Sequence, residues 1–154
     1  MLLSVIGTDA QVASAYFYAL EQRRLFNETK GKQGALVVAT SISMGRSFAT
    51  AEDFPLWCDM FDLMGEQGIL SAGATANEGY DVDFFGDIPT SCASDYLISV
   101  TNINDTDTKE FNAAWGRNSI DLGAPGSTCF TTKAGNAYGN FNGCLLYTSP
   151  SPRD

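Results

Sequence analysis

The chain has 154 residues, 44% of them hydrophobic and 18% charged, with 15 glycines and no histidine. That balance favours one loop-rich globular domain with a real core over a coiled coil or a disordered tail. A net charge of −9 speaks against nucleic acid and anionic membranes as partners, which need basic patches, and no apolar run reaches the roughly 18 residues that span a bilayer.

Residues 1–6 are apolar but short and lack a basic flank, so no targeting signal is read there. Thr8 and Asp9 look like a helix start. Val12, Tyr16, Ala19, Leu20 and Phe26 then recur at helical spacing, which predicts a helix to Asn27. A glycine-rich turn over 30–34 leads to 35–40, ALVVAT, whose β-branched run predicts a buried strand. Residues 41–47 are small and polar, a loop or an extended segment. Pro55 belongs to the first turn of a second helix over 51–66, with Phe54, Trp57, Met60, Phe61 and Met64 as its apolar residues.

A strand over 69–74 comes next. The order helix, strand, helix, strand predicts a parallel sheet joined by a crossover. Residues 78–94 are long and irregular, 96–101 a strand, and 102–107 a turn by composition. Residues 111–116 and 120–126 read as short strands closed by a Pro-Gly turn, and 136–143 as a loop. There is no internal repeat.

Cys58, Cys92, Cys129 and Cys144 show no CxxC spacing, and without histidine a zinc site has no support. The first three read equally as core thiols or as disulfide halves. Asp81, Asp83 and Asp87 do not have the spacing of an EF-hand loop and read as solvated loop carboxylates. No Gly-rich phosphate loop is present.

Residues 144–154, CLLYTSPSPRD, break from everything before them. They are Pro/Ser-rich, and they translate a transposase sequencing adapter read in frame, so they are set apart as a non-native tail. The expected division is a partial domain over 1–143 and this tail over 144–154. On that reading Cys144 is not a residue of the natural protein, and Ser149 and Ser151 are not nucleophile candidates.

The segment 68–79, GILSAGATANEG, reads as a strand running into a small-residue loop that delivers Asn77. A carboxamide N–H on a rigid turn is what a developing oxyanion needs. An isolated asparagine there would ordinarily be a turn residue, since Asn tolerates positive φ. What tips the balance is the ordered set of segments: TSISMG over 40–45, ATANEG over 74–79, YLISVT over 96–101, LGAPG over 122–126 and YGNFNG over 138–143.

In that order the chain resembles the subtilisin-like serine peptidases, over residues 10–143 and most strongly from Gly68 onward. The resemblance implies an α/β fold, a three-layer sandwich around a mainly parallel sheet, present here as a partial domain. It implies that Ser43, Met44 and Gly45 pair backbone-to-backbone with an extended peptide or protein substrate. Ala74, Thr75 and Ala76 would wall the pocket for the residue before the cut bond, and Asn77 would supply the oxyanion hole. Ala76 stands where the family usually has glycine, which narrows that wall. Glu78, near the pocket mouth, would favour a basic substrate residue.

The loop over 138–143 resembles the segment that precedes the family's nucleophilic serine. Here Gly143 is followed by Cys144 and Leu145, so a serine is missing two residues after Gly143. The family's Asp and His would lie before the first helix. The resemblance therefore implies a piece of a serine endopeptidase that works through a Ser-His-Asp triad, with the triad absent from this chain and the chain itself inactive. It implies no cofactor or metal, with calcium in the intact parent left open, and an extracellular or cell-envelope location. Oligomeric state is left open. The alternative is a non-catalytic domain of the same fold that binds extended peptides.

Overall fold

The structure, a computed structural model, describes residues 8–145. The apolar start read as carrying no targeting signal, and the part of the tail from Leu146 on, lie outside the described residues. Helix α1 spans Asp9–Glu28, strand β1 Ala39–Ile42, β2 Arg46–Ser47, helix α2 Pro55–Glu66 and β3 Leu70–Ala74. Then come a short helix α3 (Val82–Phe85), β4 (Asp87–Ile88), β5 (Leu97–Ile103), β6 (Leu122–Pro125), β7 (Cys129–Lys133) and β8 (Ala137–Phe141).

The central sheet has the order β1-β3-β5-β6, and every neighbouring pair in it is parallel. Helices flank it, so the chain is an α/β protein with the arrangement of a three-layer sandwich. Side chains alternate across a strand, which sorts β5 cleanly. Leu97 faces the core shared with α1 and α2, while Ile98 and Val100 face a second cluster with Ala72, Ala74 and Ala124.

The first core explains both long helices. Val12, Tyr16, Ala19 and Leu20 are the buried residues of α1, and Trp57, Met60, Phe61 and Met64 the large buried ones of α2. Tyr16 meets Phe61 edge-on, with ring centroids 5.4 Å apart. Burial of one such side chain is worth about 1.5–3 kcal/mol. At the start of α1 the Thr8 amide donates to Gln11 Oε1 at 2.9 Å, one half of a capping box. Pro55 takes the first position of α2, four residues after the sequence-predicted start at 51, because a proline amide is not needed there. Gly68, at φ +80, turns the chain from α2 into β3.

Three expectations need correction. The run over 35–40 is not a buried strand. Strand β1 begins at Ala39, and Leu36 and Val38 are 57% and 59% exposed, because they precede an edge strand that pairs only with β3. Residues 111–116 form no strand beyond an isolated bridge at Trp115, and Phe111 stands 95% exposed. The second of the two short strands is present as Leu122–Pro125, and it adds to the parallel sheet beside β5. The loop expected over 136–143 is mostly strand: β8 pairs antiparallel with β7 around a turn in which Gly135 and Asn136 take positive φ.

Cys58 and Cys92 form a disulfide, 5.1 Å between Cα atoms, that ties α2 to the loop after β4. Cys129 is a free thiol. Cys144 and Leu145, the first residues of the segment read as a tail, are buried in the second cluster, with Cys144 Sγ 3.2 Å from the Val100 carbonyl. No helix among the described residues is long and apolar enough to cross a membrane.

Candidate functional site

A cleft of about 700 Å³ opens beyond the C-terminal ends of β1, β3 and β5. Open parallel sheets commonly bind ligands there, because the loops leaving the strands diverge at that end. All seven residues singled out in the sequence line this one cleft: Ser43, Met44, Gly45, Ala74, Thr75, Ala76 and Asn77. They arrive from two segments joined through α2. Gly143, Cys144 and Leu145 line it from a third direction.

Ser43, Met44 and Gly45 lie between β1 and β2 and belong to neither ladder. Gly45 is required where it stands, since a Cβ at that position would overlap the Ile88 carbonyl. Beyond it, Arg46 and Ser47 pair antiparallel with Ile88 and Asp87.

The loop after β3 is held on both sides. Thr75 N–H donates to the Val100 carbonyl at 3.1 Å, and the Ala76 carbonyl accepts from Ala114 N–H at 3.0 Å. The Ala76 amide donates to Asp87 Oδ2 at 3.0 Å. Thr101 Oγ1 in turn donates to the Ala114 carbonyl at 2.7 Å. Asn77 therefore follows an alanine whose two backbone polar groups are both fixed. Asn77 itself is exposed, stands at a bend and does not take positive φ, so a left-handed backbone does not account for an asparagine here. Its carboxamide makes no hydrogen bond among the described residues and is available to a ligand.

Asp87 is the residue that sequence reasoning missed. It is 2% exposed, lines the cleft, and accepts from Thr90 Oγ1 at 2.6 Å as well as from Ala76. Burial pushes its carboxyl up to about 6, with Glu78 adding to the rise and the bonds from Thr90 and Ala76 opposing it. No periodicity marks it, because its burial comes from residues around it in space.

The three aspartates read as solvated carboxylates have separate jobs. Asp81 caps α3 by accepting from Asp83 N–H at 3.0 Å. Asp83, although exposed, accepts from the amides of Arg117, Asn118 and Ser119 at 2.7, 2.9 and 2.9 Å. The Ser119 side chain, then the three amides, hold its carboxyl at about 2. Only Asp87 faces the cleft. Among the described residues no three His, Cys, Asp or Glu side chains converge as a metal site would require.

No protein-family model and no curated protein matches the chain. Its fold does match solved structures. One is the epidermin leader peptide processing serine protease EpiP from Staphylococcus aureus, with a TM-score of 0.72 at 15% identity over 96% of this chain and 43% of that one. Another is the prenylagaramide maturation protease PagA, at 0.69, 16% identity, and 96% and 47% coverage. A lanthipeptide protease gives 0.60 at 17% identity over 79% and 34%. The chain thus spans less than half the length of these structures, and at such identities the likeness establishes the fold alone.

This corrects the family named from the sequence. The similar structures are proteases of leader processing and peptide maturation, a different group from the subtilisin-like peptidases, and no family model supports the earlier name. The short segments behind that resemblance are dominated by Gly, Ala, Ser and Asn, residues that any tight loop at the end of a parallel strand favours.

Proposed function

We propose that this chain supplies the substrate cleft and half of the oxyanion hole of a serine peptidase that acts on peptides in extended conformation. One observation carries the reading. Asn77, with an uncommitted carboxamide, and the unpaired stretch Ser43, Met44 and Gly45 line the same cleft from separate strands. A peptide laid along that stretch gains main-chain hydrogen bonds, and its carbonyl is brought toward a donor held on a rigid loop. Ala74, Thr75 and Ala76 wall the pocket beside it. The fold likeness to serine proteases of peptide maturation points the same way.

In the complete enzyme a serine attacks the peptide carbonyl, a histidine takes its proton, and an aspartate holds the histidine tautomer. The negative charge that builds on the carbonyl oxygen is met by the Asn77 side-chain N–H. This chemistry needs no cofactor. The Cys58–Cys92 disulfide favours an oxidising compartment, outside the cytosol.

The 154-residue chain has no histidine, and Leu145 stands two residues after Gly143 where the nucleophile is expected. That absence favours a second reading for the chain as it stands, a peptide-binding module without catalysis. Both readings predict peptide binding; they separate on turnover. In the full-length protease, Asn77→Ala lowers kcat by about 10²–10³ and leaves KM nearly unchanged. A full-length protein that binds peptides but never cleaves them, or an Asn77→Ala variant with unaltered kcat, rules out the catalytic reading.

A further inference from the structure

We infer that Asp87, assisted by Glu78, selects substrates carrying a positively charged side chain, arginine or lysine, in the cleft beside Asn77. The inference rests on the peptide-cleft reading above and names the class of peptide that the cleft prefers.

Asp87 is almost completely buried, yet it lines the cleft. Its Oδ2 is occupied by the Ala76 amide and the Thr90 hydroxyl. Its Oδ1 takes no hydrogen bond among the described residues. A carboxylate so placed has lost most of its water and gained only two donors, so a cationic partner has much to offer it. None of the residues lining the cleft is Lys or Arg, while Glu78 adds a second carboxylate at the same wall. Arg46, next to Ser47 on β2, is engaged with Asp9 at 2.9 Å. Among the described residues no cation answers the charge on Asp87.

Neighbouring geometry fits the role. The Ala76 amide that donates to Asp87 belongs to the residue just before Asn77, so carboxylate and carboxamide are set by one loop. A substrate residue whose carbonyl reaches Asn77 can direct its side chain along the Ala76 wall toward Asp87. A long basic side chain reaches such a floor with its apolar stem against the small residues Ala74 and Ala76. Burial weakens Asp87 as an acid because its charged form is desolvated, and a cation beside it would relieve that cost.

The test compares acetylated, amidated hexapeptides of Ala and Gly that carry one arginine, one citrulline or one glutamate, titrated calorimetrically into the 154-residue chain at pH 7.5. Citrulline keeps the shape of arginine and removes its charge. The expected result is a ~10-fold or greater preference for arginine over citrulline, with glutamate weakest. Asp87→Asn, which keeps size and one acceptor, should bring arginine and citrulline within ~2-fold of each other. Glu78→Gln, at an exposed position that does not threaten folding, should lower the preference ~2–3-fold and weaken its salt dependence. Equal binding of arginine and citrulline peptides, or a preference that survives in Asp87→Asn, overturns the inference and leaves the peptide cleft standing. No binding by any of the peptides overturns both.

Discussion

On the helix-covered face of the sheet, Phe61 and Met64 are wholly buried among Tyr16, Trp57, Ile69 and Leu97. Toward the cleft, Thr75, Asp87, Thr90 and Thr101 are also buried, but they are polar and each is hydrogen-bonded. The first region holds the fold together by removing apolar surface from water. The second spends some of that stability on a buried carboxylate whose charge no cation among the described residues answers. A buried carboxylate with a raised pKa in a cleft is a candidate for a functional role.

The sharpest way to break this contrast is to damage the first region. Phe61→Ala should cost about 3–5 kcal/mol in chemical denaturation, because the wholly buried ring leaves a cavity behind. A loss under about 1 kcal/mol would mean that α2 is not the scaffold described here.

Asp87→Asn should act in the opposite direction. The native carboxyl, at about 6, lies above its unfolded value near 3.8. A raised acid favours the native state fully at pH below the unfolded value, and that contribution is lost as pH rises through the native one. Wild-type stability should therefore fall between about pH 4 and pH 6 by up to about 3 kcal/mol on account of this group. The variant should lack that component and gain on the wild type as pH rises. Parallel pH profiles for the two proteins would contradict the assignment.

Asp83 gives the smaller, mirrored effect. Its native carboxyl at about 2 lies below the unfolded value, so its contribution is present above about pH 4 and fades as pH falls toward 2. Because the group is exposed, solvent screening limits the gain, and Asp83→Ala should cost about 1 kcal/mol at neutral pH. Faster amide exchange at Arg117, Asn118 and Ser119 would be its local signature.

Much of the scaffold is legible in the sequence because periodicity is a local signal. The spacing of Val12, Tyr16 and Leu20, and of Trp57, Met60, Phe61 and Met64, is enough to place both helices. Strands β3 and β5 announce themselves as apolar runs between turn residues. The run over 35–40 misleads for the same reason, since Leu36 and Val38 are apolar but stand beside an open sheet edge. The β7–β8 hairpin carried a usable signal in Thr131, Thr132 and the Gly135-Asn136 pair between two strand-like runs.

The candidate site divides along the same line. The small residues around Gly45 and Asn77 mark loops at strand ends, and the structure gathers them into one cleft. Asp87 gives no such mark. What singles it out is the placement of Ala76 and Thr90 around it, and Ala76 is eleven residues away in the chain. The family resemblance failed at this level too, because short Gly- and Asn-rich segments report loop geometry more faithfully than ancestry.

The most direct test of the central claim is an NMR titration of the isotope-labelled chain with an extended, arginine-containing peptide. Saturable shifts are expected in the backbone amides of Ser43, Met44, Gly45 and Ala76 and in the side-chain amide of Asn77. Saturable shifts confined to a surface away from the cleft, such as the exposed Glu21, Arg24 and Glu28 face of α1, or none at all, would contradict that claim.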